Sequence, residues 1–243
     1  MVAIRRPDGR GPEEMRPLNF APGFIEWADG SVLIEAGKTR VICTATVQDG
    51  VPPWLRGKGS GWVTAEYSML PASTPDRKIR EAVRGKQEGR TVEIQRLVGR
   101  SLRSVVDLRG LGDRTVWVDC DVIQADGGTR CASVSGAYVA LYLALAGLVD
   151  KDYIKEIPLK DSVGAVSVGV WEGVPVLDLD YREDSSADVD MNVIMTGQDE
   201  IVELQATGEK TSFDRATLDR LIDLAAKGIG QITSEQLRVT AQR

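Results

Sequence analysis

The chain has 243 residues, a formal net charge of −6 and no histidine. Without histidine, no Ser-His-Asp triad, Cys-His pair or His-ligated zinc site can be built within this chain. The three cysteines are scattered through apolar contexts, which indicates buried thiols in a reducing compartment. No apolar run reaches the roughly 20 residues that span a bilayer, and no signal-peptide core follows the first charges, so we expect a cytoplasmic protein. A catalytic metal would then be a hard ion on carboxylates, Mg²⁺ or Mn²⁺.

The charge is segregated along the chain. Between Arg56 and Arg103 there are 11 basic residues against 5 acidic ones, although the whole chain is acidic. A basic strip in an acidic protein can bind a polyanion locally. A solvated charged face is the alternative interpretation of the same strip.

The first third predicts a β-hairpin followed by a long polar segment. Residues 31–35 and 39–47 are short apolar runs joined by a glycine turn, which predicts two paired strands. A further short strand is predicted at 62–67. Residues 71–86 are polar and charged, which predicts a mobile loop or arm, and loops of this length are usually functional or disordered.

An amphipathic helix is predicted over residues 91–106. Its apolar stripe has helical spacing, and Arg96, Arg100 and Arg103 fall on another face. Gly89-Arg90-Thr91 stands immediately before it, so a Gly-Arg pair lies at the helix N-terminus. An arginine row on such a helix usually faces water.

The clearest anion-binding pattern is the turn at 124–130, which reads QADGGTR. Alternating residues at 116–122 predict a strand before it, and an apolar run at 132–148 predicts a helix after it. A helix that follows Gly-Gly presents unpaired N–H groups and its positive dipole end, Thr129 can cap it, and Arg130 adds a guanidinium fork. The alternative is a glycine turn whose arginine pairs with a nearby acid.

The second half predicts four strands and a final helix. The strands are expected at 163–170, 174–181, 191–195 and 201–206, and the helix at 213–232. Strands followed by helices in both halves predict an α+β fold of two similar βα halves, about 1–150 and 151–243, with mixed sheets packed against helices in one domain spanning 1–243.

Carboxylates are concentrated in this second half. If Met191, Val193 and Met195 face the core, then Asp188, Asp190 and Asn192 share the opposite face. Asp178 and Asp180 likewise alternate with leucines in the predicted second strand. Clustered carboxylates repel unless a cation or an arginine compensates them, and the alternative is a solvent-facing acidic turn.

Together these motifs closely resemble the ribonuclease PH family of phosphorolytic exoribonucleases, which is related to polynucleotide phosphorylase and exosome ring subunits. The resemblance covers almost the whole chain. Its markers occur in order: RPDGRGPEEMRP at 6–17, GWVTAEYSMLP at 61–71, GRTVEIQRLVGR at 89–100, DCDVIQADGGTR at 119–130 and EDSSADVDMNVIM at 183–195.

The resemblance implies a reversible, phosphate-dependent 3′-to-5′ exoribonuclease that trims tRNA precursors and other structured RNA and releases nucleoside diphosphates. It implies a ribonuclease PH-like fold and a hexameric ring, a trimer of dimers, with inorganic phosphate as co-substrate. Roles in tRNA and rRNA processing follow from the same likeness. A non-catalytic, exosome-like RNA-binding subunit and a metal-dependent hydrolytic nuclease remain the alternatives.

The resemblance also assigns roles to residues. It places phosphate binding on Arg90, Gly128, Thr129 and Arg130, and catalysis and the divalent ion on the pair Asp184 and Asp190. The basic strip adds an expected RNA track made of Arg77, Arg80, Arg96 and Arg100. Family members often carry an arginine directly after Met-Leu-Pro, where this chain has Ala72.

Overall fold

A computed structural model describes residues 5–242. Nine strands, a 3-10 helix at Pro53–Leu55 and five α-helices follow one another in that range. The strands are β1 (Leu18–Pro22), β2 (Gly30–Ala36), β3 (Thr39–Asp49), β4 (Trp62–Met69), β5 (Arg114–Gln124), β6 (Val163–Trp171), β7 (Val174–Leu177), β8 (Val189–Thr196) and β9 (Ile201–Gly208). The α-helices are α1 (Glu81–Arg84), α2 (Gly89–Val105), α3 (Thr129–Asp150), α4 (Tyr181–Asp184) and α5 (Arg215–Thr240).

The first sheet has the order β1-β2-β3-β5-β4. The predicted hairpin is confirmed, since β2 and β3 pair antiparallel, and β4 joins parallel to β5. Alternation in β5 buries Val116, Val118 and Val122 on the helix side, while Trp117 and Asp121 are exposed on the other face. The predicted strand before the glycine turn is therefore confirmed.

The second sheet has the order β7-β6-β8-β9, and its pairs are antiparallel. Helices α3 and α5 both pack against it. Ser135 Oγ in α3 accepts a hydrogen bond from the Ala165 amide of β6. Gly164 of β6 packs against Ile229 and Ile232 of α5. The α+β architecture of two sheets packed against helices is confirmed.

Helix α3 forms the centre of the fold, because it contacts β2, β3 and β5 of the first sheet and β6 and β8 of the second. Its 22 residues are apolar enough to cross a membrane by length and composition, but 78% of that stretch is buried inside the protein. A helix that is apolar all round is expected where it is buried between two sheets. Packing on both sides accounts for its composition.

Three predictions about local structure are wrong. The strand expected at 174–181 ends at Leu177, because Asp178 has a positive φ of 55° and Asp180 caps α4. The alternation expected for Asp178 and Asp180 is absent, since both are buried together with Leu179. Thr129 does not cap α3; Gly128 occupies the N-cap position with φ of 66°.

Elsewhere the predicted element is present, but its observed ends differ from the predicted ones. The final helix, expected at 213–232, runs from Arg215 to Thr240 and is capped by the Asp214 side chain, which accepts from the Thr217 amide. The polar segment at 71–86 has little regular structure apart from the single turn of α1. All three cysteines are buried and free, as expected.

Candidate active site

The turn between β5 and α3 is shaped by two consecutive glycines. Gly127 and Gly128 both have positive φ values, 78° and 66°. A Cβ on Gly127 would lie 2.7 Å from the Leu179 carbonyl oxygen, so a larger residue does not fit there. The turn therefore brings the start of α3 directly against the segment that leads into α4, and the 22-residue helix begins there without a side-chain cap.

Two buried arginines join the two halves behind this turn. Arg16 Nη2 and Nε donate to the two carboxylate oxygens of Asp178 at 2.7 and 2.9 Å, and Arg16 Nη1 donates to the Asp126 carbonyl. The Arg16 charge holds the pKa of Asp178 below its ordinary value against the effect of burial. Asp178 is therefore a structural carboxylate that fixes the glycine turn, and its charge is already compensated.

The second arginine, Arg6, fixes α4. Its Nε and Nη2 donate to the two Glu183 oxygens at 2.6 and 2.7 Å, and both side chains have no exposed surface. Glu183 also accepts from the Asp180 amide, while Asp180 accepts from the Glu183 amide, which makes a capping box at the start of α4. The last residue of this short helix is Asp184.

Asp184 and Asp190 come together at the open end of this region. Burial raises the pKa of Asp190 to about 6, with further contributions from the Asp184 charge, while Arg130 acts in the opposite direction. Burial also raises the pKa of Asp184, opposed by the charges of Arg90 and Arg130. Among residues 5–242, no hydrogen bond reaches the buried Oδ1 of Asp190. Two half-buried carboxylates with an unsatisfied oxygen suit a hard divalent cation.

Strand β8 turns Asp190 toward the first turn of α3. Asn192, two residues along the same face, accepts a contact from Cys131 Sγ at 3.2 Å through its Oδ1. The predicted sharing of one face by Asp190 and Asn192 is confirmed. Asp188, expected on the same face, lies just before β8 and pairs with Lys210 at 3.5 Å.

The arginines at the two helix starts flank these carboxylates. Arg90 is the second residue of α2, and Arg130 is the second residue of α3. Their charges act on the same three groups, namely Asp184, Asp190 and Tyr67. Tyr67 Oη lies 2.9 Å from Thr129 Oγ1, so the Thr129 hydroxyl contacts β4 instead of capping its helix. Two cations, a helix N-terminus and a carboxylate pair thus share one small region.

Comparison with known proteins identifies the family of this chain. A sequence model described as 3′ exoribonuclease family, domain 1, matches residues 14–146, and its domain 2 model matches residues 161–228. The chain belongs to the 3′ exoribonuclease family. A curated relative named Ribonuclease PH from Syntrophomonas wolfei is 58% identical over 96% of this chain and 98% of its own length. Another Ribonuclease PH, from Bacillus mycoides, is 58% identical over 95% of each chain.

Solved structures share the fold at much lower identity. A rice (Oryza sativa) Rrp46 structure has a TM-score of 0.78 at 18% identity and covers 97% of this chain and 100% of its own. An Archaeoglobus fulgidus exosome with RNA bound to the active site has a TM-score of 0.79 at 24% identity, covering 95% of this chain and 92% of its own. The high-identity relatives support the activity: this 3′ exoribonuclease is phosphorolytic, acts in tRNA processing and uses phosphate as a substrate.

The residues predicted as an RNA track in this exoribonuclease lie in different settings. Arg77 and Arg80 are exposed in the polar segment, beside a cavity of about 750 Å³ that Arg80 and Arg90 both line. Arg96 is exposed on α2. Arg100 is exposed as well, and it donates to Glu203 Oε2 at 2.7 Å, so an RNA phosphate at this position would compete with that carboxylate.

The floor of that cavity is acidic, which the sequence pattern did not reveal. Glu66 of β4 stands opposite Asp119 of β5, and Asp121 follows on the same exposed face. Burial raises the pKa of Asp119, and repulsion from Glu66 and Asp121 adds to it. Arg80 lines the same cavity, and its charge opposes the rise that burial causes in the pKa of Asp121, so this arginine is partly compensated by the acidic floor.

Sequence reasoning missed the residues that support the site. Arg6 and Arg16 lie in a marker motif, but their partners are more than 160 positions away in the chain, at Glu183 and Asp178. A glutamine on β9, Gln205, also escaped notice and contacts Arg130 directly. The one feature of the sequence that pointed to Arg6 and Arg16 was their position as arginines within a Pro- and Gly-rich segment.

Proposed function

We propose that Arg90, Arg130 and the N-terminus of α3 hold the attacking phosphate, and that Asp184 and Asp190 serve the scissile phosphodiester. The convergence of two helix-start arginines on one carboxylate pair supports this assignment. Phosphorolysis needs two anions to be placed in line, and positive charge at fixed positions offsets their repulsion. Gly128 and Thr129 contribute backbone N–H groups at the start of α3, where anions bind favourably.

The reaction follows from these positions. An oxygen of inorganic phosphate attacks the terminal phosphorus, the bond to the 3′ oxygen of the preceding nucleotide breaks, and that oxygen takes up a proton. A nucleoside diphosphate leaves, and the shortened RNA ends in a 3′ hydroxyl. Inorganic phosphate is already anionic near pH 7, so the arginines need only orient it, and the absence of histidine is no obstacle.

Asp184 and Asp190 are the residues that would hold Mg²⁺ or Mn²⁺. The buried Oδ1 of Asp190, which has no hydrogen-bond partner among residues 5–242, and the pKa values of both carboxyls, which burial raises, fit such an ion, because a bound cation stabilises the charged form that burial disfavours. No group of three or more candidate ligands occurs in the described part of the chain. Magnesium commonly uses only one or two carboxylates together with substrate phosphates. The ion would stabilise negative charge at the reacting phosphate and the leaving oxygen.

The substrate we propose is the 3′ end of tRNA precursors and other structured RNA. Along the path of this RNA lie Arg77, Arg80, Arg96 and Arg100. At high nucleoside diphosphate the reaction runs in reverse and adds nucleotides to the 3′ end.

We further propose a cytoplasmic homo-hexamer, a trimer of dimers. The likeness to exosome chains and the exposed Phe24 and Trp27, 47% and 91% exposed, support assembly. Residues 1–150 and 151–243 act as one unit, since the site draws on both. Light scattering after size exclusion gives the subunit number.

A product assay tests the assignment. A 3′-extended tRNA is incubated with Mg²⁺, with and without phosphate, and nucleoside diphosphates and monophosphates are separated by chromatography. Diphosphates that appear only with phosphate support phosphorolysis, whereas monophosphates in both reactions support the hydrolytic alternative. Absence of both products supports the non-catalytic one, against which the 58% identical relatives already argue.

Two substitutions separate the roles. Arg130→Ala is expected to raise the phosphate KM at least tenfold, because a charge-assisted bond to phosphate is lost. Asp190→Asn is expected to abolish turnover without unfolding the protein. Arg109→Ala is the matched control: Arg109 is exposed and lies between α2 and β5, at the opposite end of β5 from the glycine turn. An unchanged KM in the first variant, or full turnover in the second, would refute the corresponding role.

A further inference from the structure

The guanidinium of Arg130 is held by two side chains from different elements. Its Nη1 donates to Gln205 Oε1 at 2.6 Å and to Glu93 Oε1 at 3.3 Å. Glu93 belongs to α2 and Gln205 to β9. Within residues 5–242, both hydrogen bonds start at Nη1, so the edge formed by Nε and Nη2 remains for an anion.

Gln205 can satisfy this position because an amide has both an acceptor and donors. Its oxygen accepts from Arg130, while its Nε2 donates to Glu93 at 3.0 Å and to Glu203 at 3.2 Å. A carboxylate in its place would add a third negative charge beside Glu93 and Glu203. An apolar residue would leave Arg130 with only the longer contact.

The strand register fixes Gln205 in this place. It stands directly opposite Asn192 in the pairing of β8 with β9. Asn192 faces the first turn of α3 through its contact with Cys131, so Gln205 lies on the face that looks toward Arg130. Arg130 is 16% exposed and Glu93 is 44% exposed, which places the glutamine contact on the inner side of the arginine.

We propose that Gln205 is a positioning residue that orients Arg130 for phosphate, and that Glu93 is a competing anion that limits phosphate affinity. This inference rests on the proposed role of Arg130. With Gln205 holding Nη1, the guanidinium presents its opposite edge as a two-donor fork, the geometry that phosphate oxygens accept. Glu93 contacts the same nitrogen, so its charge repels an incoming phosphate while weakly holding the arginine.

Gln205 and Glu93 should therefore have opposite effects on the phosphate KM. Gln205→Leu keeps the volume but removes the acceptor, and it is expected to raise the phosphate KM about tenfold, as loss of a hydrogen bond to a charged group does. Glu93→Gln removes the repelling charge and is expected to lower the phosphate KM about two- to threefold, since the group is half exposed and screened. In both variants kcat at saturating phosphate and the KM for RNA stay within about twofold, because orientation is recovered once phosphate is bound.

Matched controls lie on the same part of the chain. Gln198→Leu and Glu200→Gln change the same residue types in the exposed turn between β8 and β9 and should leave the phosphate KM unchanged. Thermal unfolding of each variant accompanies the kinetics. A general structural defect would move KM for RNA, kcat and the melting temperature together, and it would not give opposite signs for the two substitutions.

Arg130→Ala separates failure of this inference from failure of the proposed function. If Arg130→Ala leaves the phosphate KM unchanged, the phosphate-site assignment is wrong and the inference falls with it. If Arg130→Ala raises it but Gln205→Leu does not, the site stands and Gln205 has no positioning role. If Glu93→Gln raises the KM, Glu93 holds the arginine productively and is not a competitor. Opposite shifts in Gln205→Leu and Glu93→Gln support the proposal.

Discussion

Removal of the Arg6 side chain is the sharpest test of how this fold supports its site. Arg6 is fully buried and makes two hydrogen bonds to Glu183, one to the Leu177 carbonyl at 2.8 Å and one to the Asp178 carbonyl at 2.9 Å. Further carbonyls of the N-terminal segment accept from the same guanidinium. Arg6→Met keeps the length of the side chain and removes every one of these donors.

The magnitude follows from what the substitution leaves behind. Glu183 would remain buried with no exposed surface and without its close bidentate partner, and breaking a buried pair in this way costs about 3–5 kcal/mol. Arg10 Nη2 lies 3.6 Å from Glu183 Oε2 and compensates in part, so we expect a loss of about 3 kcal/mol. The capping box of α4 also depends on Glu183, so Asp184 should lose its fixed position and turnover should fall about tenfold or more.

Urea unfolding followed by tryptophan fluorescence, at one fixed protein concentration, measures the loss as a lower midpoint at an unchanged slope. The double variant Arg6→Met with Glu183→Leu replaces the pair by apolar groups and should be more stable than Arg6→Met alone by about 2 kcal/mol. Its turnover should stay low, because Asp180 then lacks its capping partner. A loss below about 1 kcal/mol in the single variant, or no recovery in the double one, would contradict this account of the buried pair.

Three further predictions concern the site itself. Gly127→Ala should cost about 3 kcal/mol and most of the turnover, because its Cβ meets the Leu179 carbonyl, whereas Gly173→Ala, with a similar φ of 76° and open space, should cost only about 1–2 kcal/mol in urea unfolding. Burial raises the pKa of Asp190 from an ordinary 3.8 to about 6, so the stability tied to its neutral form is full below pH 3.8 and is lost as pH rises through 6. In metal-free buffer, Asp190→Asn should therefore make the free energy of unfolding fall less over this pH range, by up to about 3 kcal/mol. An unchanged pH profile of stability would count against the raised pKa. RNA affinity should fall as salt rises, with a shallower slope in Arg77→Ala, and equal slopes would exclude Arg77 from the phosphate contacts.

The sequence by itself predicted most of the elements and nominated the candidate site groups. Period-two alternation in β5 and helical spacing in α2 predict those elements because one face of each is buried against the core. The Gly-Gly pair predicts the turn, because only glycine adopts positive φ at consecutive positions without strain. The family resemblance then names Arg90, Arg130, Asp184 and Asp190 from their local motifs.

Only the tertiary structure decided which charged residues form buried ion pairs and which converge at the candidate site. Asp178 and Asp184 look alike in the sequence, yet Asp178 is paired with Arg16 from 162 positions away, while Asp184 ends α4 near the charges of Arg90 and Arg130. Gln205 is an ordinary strand residue until β8 and β9 align it with Arg130. Local patterns report burial and backbone preference, but the pairing of charges depends on which distant segments the packed sheets bring within hydrogen-bond distance.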